Sequence, residues 1–247
     1  MKKNYIFGFH SIMEAIKDGK EIEKIFIKHN LRGDLFFKLK KTLKEVNTPF
    51  QFVPIEKLNR ITQENHQGVI AIMSPIAYEK LEEIIPLILA EGKNPVVLIL
   101  DKITDVRNFG AITRSAECAG VDLIIVPDKN SAQINSDAVK TSSGALLEMP
   151  ICRVGHLKDA IYYLKQNGLS IVASTEKADK IYYELDFKIP TAIIMGSEDK
   201  GVEKGILKIC DEKVKIPVKG KIKSLNVSVA TGIIVYEILK QRNKILN

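Results

Sequence analysis

An α/β fold built on a parallel sheet is predicted for the larger part of this 247-residue chain, and three observations predict it. Residues 95–247 carry five runs rich in Val and Ile, namely Val96–Leu100, Leu123–Val126, Ser170–Ala173, Ala192–Met195 and Val214–Val218. They are short and continuous, as strands covered on both faces are. Helical stretches such as Gly110–Ala119 and Leu157–Asn167 separate them, and strands alternating with helices of that length make βαβ units. Third, polar segments follow three of the apolar runs: Asn108–Ser115, Gly196-Ser197-Glu198 and Ser224–Ser228. Ligands bind at loops leaving the C-terminal ends of strands in an open α/β sheet, so these segments define a candidate site.

Ahead of that sheet the chain alternates more closely. Ser11–Lys17 reads as a helix and Ile22–Lys28 as a strand. Leu31–Val46 places Leu35, Leu39, Leu43 and Val46 at helical spacing, with Lys38, Lys40, Lys41 and Lys44 on the other faces. Phe50–Val53 is a strand, Ile55–Ile61 a helix and Val69–Met73 a strand, which makes residues 1–74 a small α/β unit. Residues 75–94, with Pro75, Pro86 and Gly92 around a short apolar helix, read as a linker. The last helix, Val227–Arg242, carries Val229, Ile233, Tyr236 and Leu239 at helical spacing.

At 45% hydrophobic and 27% charged residues, this is the composition of a soluble globular protein. A net charge of +7 leans toward a polyanionic partner, although a lysine-rich composition accounts for it equally well. Cys118, Cys152 and Cys210 lie far apart, without CxxC or His partners at ligand spacing, so neither a metal site nor a disulfide framework is expected. Reduced thiols fit the cytoplasm. No apolar run approaches the roughly 18 residues that span a bilayer, and Met1–His10 has too short an apolar stretch for a signal peptide.

Within the segments, Asn108 can cap a helix, and Arg114 offers a fork suited to a phosphate. Gly196 permits close approach of backbone to a ligand. Glu198 is either a helix-entry charge or a site residue. Ser224, Asn226 and Ser228 follow a loop with Lys215, Lys219, Lys221 and Lys223, more polar groups than one cap requires. A dinucleotide fold needs a glycine-rich turn after its first strand. Asp101–Gly110 contains a single glycine, and no GxxxxGK[ST] occurs, so a nucleotide-like ligand must be held in another way.

The residues Asn108–Ala116, Met195–Gly201 and Ile216-Pro217 running on to Ser224–Ala230 resemble the three motifs of the SpoU (TrmH-type) RNA 2′-O-ribose methyltransferases of the SPOUT superfamily. Tyr5–His10 and His66–Ala71 resemble the amino-terminal domain of its RlmB branch, which modifies a guanosine in 23S rRNA. The resemblance implies a deep trefoil knot in residues 95–247 and an L30e-like substrate-binding domain before them. It implies S-adenosylmethionine as donor with no metal, a ribose 2′-hydroxyl of RNA as acceptor, and a homodimer. Carried over residue by residue, Arg114, Asn108, Glu198, Ser224 and Asn226 are catalytic, and Thr175, Gly196, Ile216 and Leu225 bind the donor. A guanidinium with a pKa above about 12 is a poor resting base, so Arg114 is expected to clamp the adjacent phosphate and the developing alkoxide. Lys38, Lys40, Lys41 and Lys44, with Lys2 and Lys3, are expected to engage phosphates. Ser197 and Asp199-Lys200 depart from the family's usual residues, which bears on substrate choice. The alternatives are a tRNA or other rRNA methyltransferase of the same family, or an RNA-binding protein without turnover.

Overall fold

The computed structural model describes residues 5–46, 48–222 and 224–243, so Lys2, Lys3 and Lys223 lie outside the described residues. The chain divides into two compact units, the first running to Ala77 and including Ile134–Ser136, the second taking the rest from Tyr78.

The first unit runs β1 (Tyr5–Phe7), α1 (Phe9–Lys17), β2 (Ile22–Lys28), α2 (Asp34–Glu45), β3 (Phe50–Val53), α3 (Ile55–Ile61) and β4 (Val69–Met73). Its sheet has the order β1-β4-β2-β3, with β4 antiparallel to both neighbours and β2 parallel to β3. Alternation along β2 sends Ile25 and Ile27 toward α1 and α2, where they meet Ile12, Leu39 and Leu43. Phe26 faces the other way, onto Leu58 of α3 and Ile70. Helix α2 buries Phe36, Leu39 and Leu43, so Leu35 and Val46, expected to face inward, are exposed. The motif residue His66 has a structural task. Its Nδ1 accepts the Gly68 N–H at 3.0 Å, and its Nε2 lies 2.9 Å from Asn59 Oδ1. Burial, then the charge of Lys28, lower its pKa and keep the ring neutral, which suits the acceptor nitrogen.

The second unit contains α4 (Leu81–Ala90), β5 (Val96–Asp101), α5 (Val106–Cys118), β6 (Leu123–Pro127), α6 (Ser136–Thr141), β7 (Ile151–Val154), α7 (Leu157–Gln166), β8 (Ser170–Ser174), β9 (Lys180–Ile181), β10 (Thr191–Gly196), α8 (Lys204–Leu207), β11 (Glu212–Lys215) and α9 (Val227–Arg242). Seven strands lie in the order β7-β6-β5-β10-β8-β11-β9, every neighbouring pair parallel. Val97, Ile99, Ile171 and Ile194 pack toward α4 and α7, meeting Ile85, Ile161 and Leu164. Helices α5 and α9 pack against each other and bury Phe109, Ile112, Ile234 and Val235.

Three details differ from the sequence reading. The short apolar helix of the stretch taken as a linker, α4, belongs to the core of this unit through Leu81, Ile85 and Ile88 despite Pro86. Strand β11 ends at Lys215, short of Pro217, which has no N–H to offer a ladder. The four-residue edge strand β7 was not anticipated, since Ile-Cys-Arg-Val is too short and mixed to stand out. Cys118, Cys152 and Cys210 are free thiols, and burial pushes the Cys152 thiol up to about 12. No helix among the described residues is long and apolar enough to cross a membrane.

Candidate active site

Strand order places the site. From β5 the sheet continues through β6 to β7 on one side, and through β10, β8, β11 and β9 on the other. The C-terminal ends of β5 and β10, where Asp101 and Gly196 pair, form the switch point at which open parallel sheets bind ligands. Beside it, at the ends of β8, β10 and β11, lies a cavity of about 390 Å³. Thr175, Gly196, Ile216 and Leu225 all line it, together with Glu198 and Ser224. Ser197, Asp199 and Lys200, the departures from the family pattern, line it as well. Val218, Met195 and Ala230 add apolar wall.

Gly196 is needed because the chain folds back on itself there. A Cβ at this position would lie 2.1 Å from Gly201 C and from Val202 N. The 197–201 turn closes with the Gly201 N–H donating to Ser197 O at 2.8 Å, and Gly201 takes the left-handed φ of 62°. Sequence reasoning missed what fastens this loop. Asp101, 2% exposed, accepts the Glu203 N–H at 2.7 Å, and Lys102 Nζ lies 2.6 Å from Glu203 Oε2. Burial raises the Asp101 pKa, while the Glu203 amide and Lys102 pull it back. The only signal for it was a single acid at the end of an apolar run.

Glu198 is the hub of a second cluster. Its Oε1 accepts from Asn226 Nδ2 at 2.6 Å, Asn108 Nδ2 at 3.2 Å and the Val227 N–H at 3.2 Å. Asn226 Nδ2 also donates to Asn108 Oδ1 at 2.9 Å, which closes a triangle of three residues far apart in sequence. Asn226 serves two ends at once, since its Oδ1 accepts from the Ser228 N–H at 2.9 Å and caps α9. Asn108 is not a cap: α5 starts at Val106, and Asp105 Oδ1 accepts the Asn108 N–H at 2.8 Å. Freed from capping, its side chain reaches Glu198. Asn226→Ala should therefore cost roughly 1 kcal/mol of stability through the lost cap alone. Asn226→Asp keeps the capping oxygen but sets a second carboxylate against Glu198, a penalty that should shrink on acidification as one of them takes a proton. Thermal melts of both variants at acidic and alkaline pH check this. A pH-independent loss in the aspartate variant would contradict it.

The structure does not bring Arg114 into this cluster. It lies six residues after Asn108 on α5, which is about 120° around the helix and about 9 Å along it. The side chain is exposed and makes no ion pair or hydrogen bond among the described residues. Its helix is held close by Gly110, where a Cβ would meet Thr141 Cβ at 2.7 Å, so that motif glycine serves packing. Ser115, next to Arg114, approaches Gly232 of α9. Among the described residues no group of three His, Cys, Asp or Glu is placed to hold a metal ion.

A cavity of mixed polar and apolar lining, at the strand ends of a parallel sheet, marks an α/β protein that acts on or through a small molecule. Residues 95–236 match the SpoU rRNA Methylase family, and residues 5–79 match the RNA 2′-O ribose methyltransferase substrate binding family. A Staphylococcus saprophyticus protein assigned to the TrmH family of tRNA/rRNA methyltransferases is 34% identical over 99% of this chain and 98% of its own length. The crystal structure of the SpoU methyltransferase AviRb from Streptomyces viridochromogenes, in complex with the cofactor AdoMet, superposes with a TM-score of 0.61 at 24% identity, covering 96% of this chain and 90% of that one. The A. aeolicus TrmH/SpoU tRNA modifying enzyme gives a TM-score of 0.56 at 30% identity, over 66% of this chain and 84% of that one. The chain belongs to the SpoU rRNA methylase family, and thereby to the RNA 2′-O-ribose methyltransferases.

Proposed function

We propose that this protein transfers a methyl group from S-adenosylmethionine to the ribose 2′-hydroxyl of a guanosine in 23S rRNA. The observation that carries the reading is the Asn108–Glu198–Asn226 triangle at the rim of a cavity whose wall includes Gly196. The residues present fit the donor. Gly196 lets the 197–201 turn fold back at the strand end and form the cavity wall, Ile216, Val218 and Leu225 give adenine an apolar seat, and Glu198 offers a carboxylate to a positive ligand. The donor supplies a methyl group on a sulfonium that leaves as a neutral thioether. Glu198, fixed through Oε1 by three donors, keeps Oε2 for that charge or for the ribose. Ser224 stands on the cavity wall as a further polar contact. Arg114 clamps the acceptor phosphate and the developing alkoxide as a charged fork, and the hydroxyl proton passes to water.

The same reading makes the protein a homodimer. Helix α9 leaves Val229 and Tyr236 about half exposed, at 52% and 50%, and Ile233 between them is only partly covered. The buried side is instead Val227, Thr231, Ile234, Val235 and Ile238. A stripe of this kind on an enzyme is the usual mark of a partner surface. Arg114 lies on α5, which packs on α9, and the reading places its guanidinium at a second copy docked on that face. Val229→Glu with Tyr236→Lys should yield a folded monomer by analytical ultracentrifugation, and an unchanged dimer would exclude the stripe. The deep trefoil knot that the resemblance implies for residues 95–247 belongs to the same reading.

Donor binding without RNA tests the pocket. At about 100 times its dissociation constant the donor should stabilise the fold by about 2.7 kcal/mol. An unchanged melting temperature, with no heat of binding, would overturn the assignment. Mass-spectrometric mapping of ribose methylation in cells lacking the protein tests the acceptor. A missing methyl in tRNA instead of 23S rRNA would select the same-family alternative.

A further inference from the structure

We infer that one edge of the amino-terminal unit carries a stacking platform for unpaired RNA nucleotides, formed by Phe37, Phe52 and His29 among basic side chains. The inference rests on the RNA substrate proposed above and names how that RNA is held. Strand β3 is an outer strand of its sheet, and it presents Phe52 at 37% exposure while α2 presents Phe37 at 62%. The rings form one connected group. His29 and Phe52 stack with centroids 6.4 Å apart and planes 24° from parallel. Buried Phe36 anchors both exposed phenylalanines, at 5.5 Å from Phe37 and 6.3 Å from Phe52. Phe50 meets Phe52 edge-on at 5.8 Å.

The helix that carries Phe36 and Phe37 is also basic. Lys38 and Lys41 are exposed on it, and Lys40 Nζ lies 6.0 Å from the Phe36 centroid. Of the acids on α2, Glu45 stands 4.0 Å from Lys41, and Asp34 opens the helix. The balance is positive. A protein-docking face removes lysine from its apolar centre, whereas exposed rings interleaved with cations are what single strands need, because bases stack on the rings while phosphates meet the charges. Double-stranded RNA hides its base faces and could use only the cations. The basic helix expected to meet phosphates thus adjoins a surface that can also discriminate unpaired from paired RNA.

The chain contains no tryptophan, so Phe37→Trp or Phe52→Trp makes a single reporter. In the full-length protein its emission should be quenched by an unpaired octanucleotide RNA and left unchanged by a blunt RNA duplex. Phe37→Ser and Phe52→Ser should each weaken single-strand binding about tenfold, with duplex binding and circular dichroism unaltered. Phe37 is exposed enough that serine there leaves the core intact. An unquenched reporter together with wild-type RNA affinity in the serine variants would overturn the platform and assign the face to a protein partner. Methyl incorporation into rRNA by the wild type separates the two readings. Quenching without transfer would sink the methyltransferase assignment and leave the platform standing, and transfer without quenching would do the reverse.

Discussion

Replacing Arg114 with alanine should leave donor affinity almost unchanged and slow methyl transfer to RNA roughly 100- to 1,000-fold, the usual effect of removing a charged group aimed at a developing oxyanion. The first half follows from position: Arg114 is exposed on α5 and does not line the cavity. The second half follows from the role proposed for Arg114 at the acceptor, for which its fork, without a partner among the described residues, is available. Arg114→Lys should retain part of the rate, since the charge stays while bidentate geometry is lost. If the side chain had to accept the proton, the lysine variant's rate would climb steeply with pH toward the lysine pKa. A mixing experiment locates the residue. Subunits carrying R114A mixed with subunits carrying G196A should regain about a quarter of the wild-type sites if Arg114 acts across a two-fold interface, and none if it acts on its own pocket. Alanine at 114 with a normal single-turnover rate would make Arg114 a bystander.

Gly196→Ala should have a comparably large effect with the opposite signature. The new methyl group would sit 2.1 Å from two backbone atoms of Gly201 and Val202, which cannot yield as a flexible side chain does. The 197–203 loop must then move, yet Asp101 and Lys102 hold its far end through Glu203. Strain of this kind costs about 1–3 kcal/mol or more, and the loop carries Glu198 and much of the cavity wall. Donor affinity should fall at least tenfold, which is about 1.4 kcal/mol, and transfer should fall with it. Calorimetric titration with donor is the measurement. A near-native dissociation constant would show that the donor does not rely on this turn.

Much of the architecture is written in short-range patterns. Strands β5, β6, β8 and β10 were legible because a parallel strand covered on both faces must be apolar throughout, and their Val and Ile runs show it. The caps were not settled by local preference: Asn108 was read as one, yet Asp105 caps α5 and Asn226 caps α9. Helix α2 was legible as a helix and misjudged in its buried face. It carries Leu35, Phe36 and Phe37 in succession, and three adjacent apolar residues do not say which of them the sheet will cover. Helix α9 has the same ambiguity, apolar on opposite sides, so periodicity could not tell the core side from the half-exposed Val229 and Tyr236.

By itself the sequence determined the fold class and the position of the three polar segments, while Thr175, Gly196, Ile216 and Leu225 were named through the family resemblance and line one cavity in the structure. Tertiary structure alone decided who meets whom. Strand β10 lies between β5 and β8, so Glu198 reaches Asn108, 90 residues earlier, and Asp101 reaches Glu203, 102 residues later. The same packing turns Arg114 away from that cluster and leaves it exposed. The physical reason is that propensity and periodicity act over a few residues, whereas strand order is set by burying apolar faces from the whole unit together.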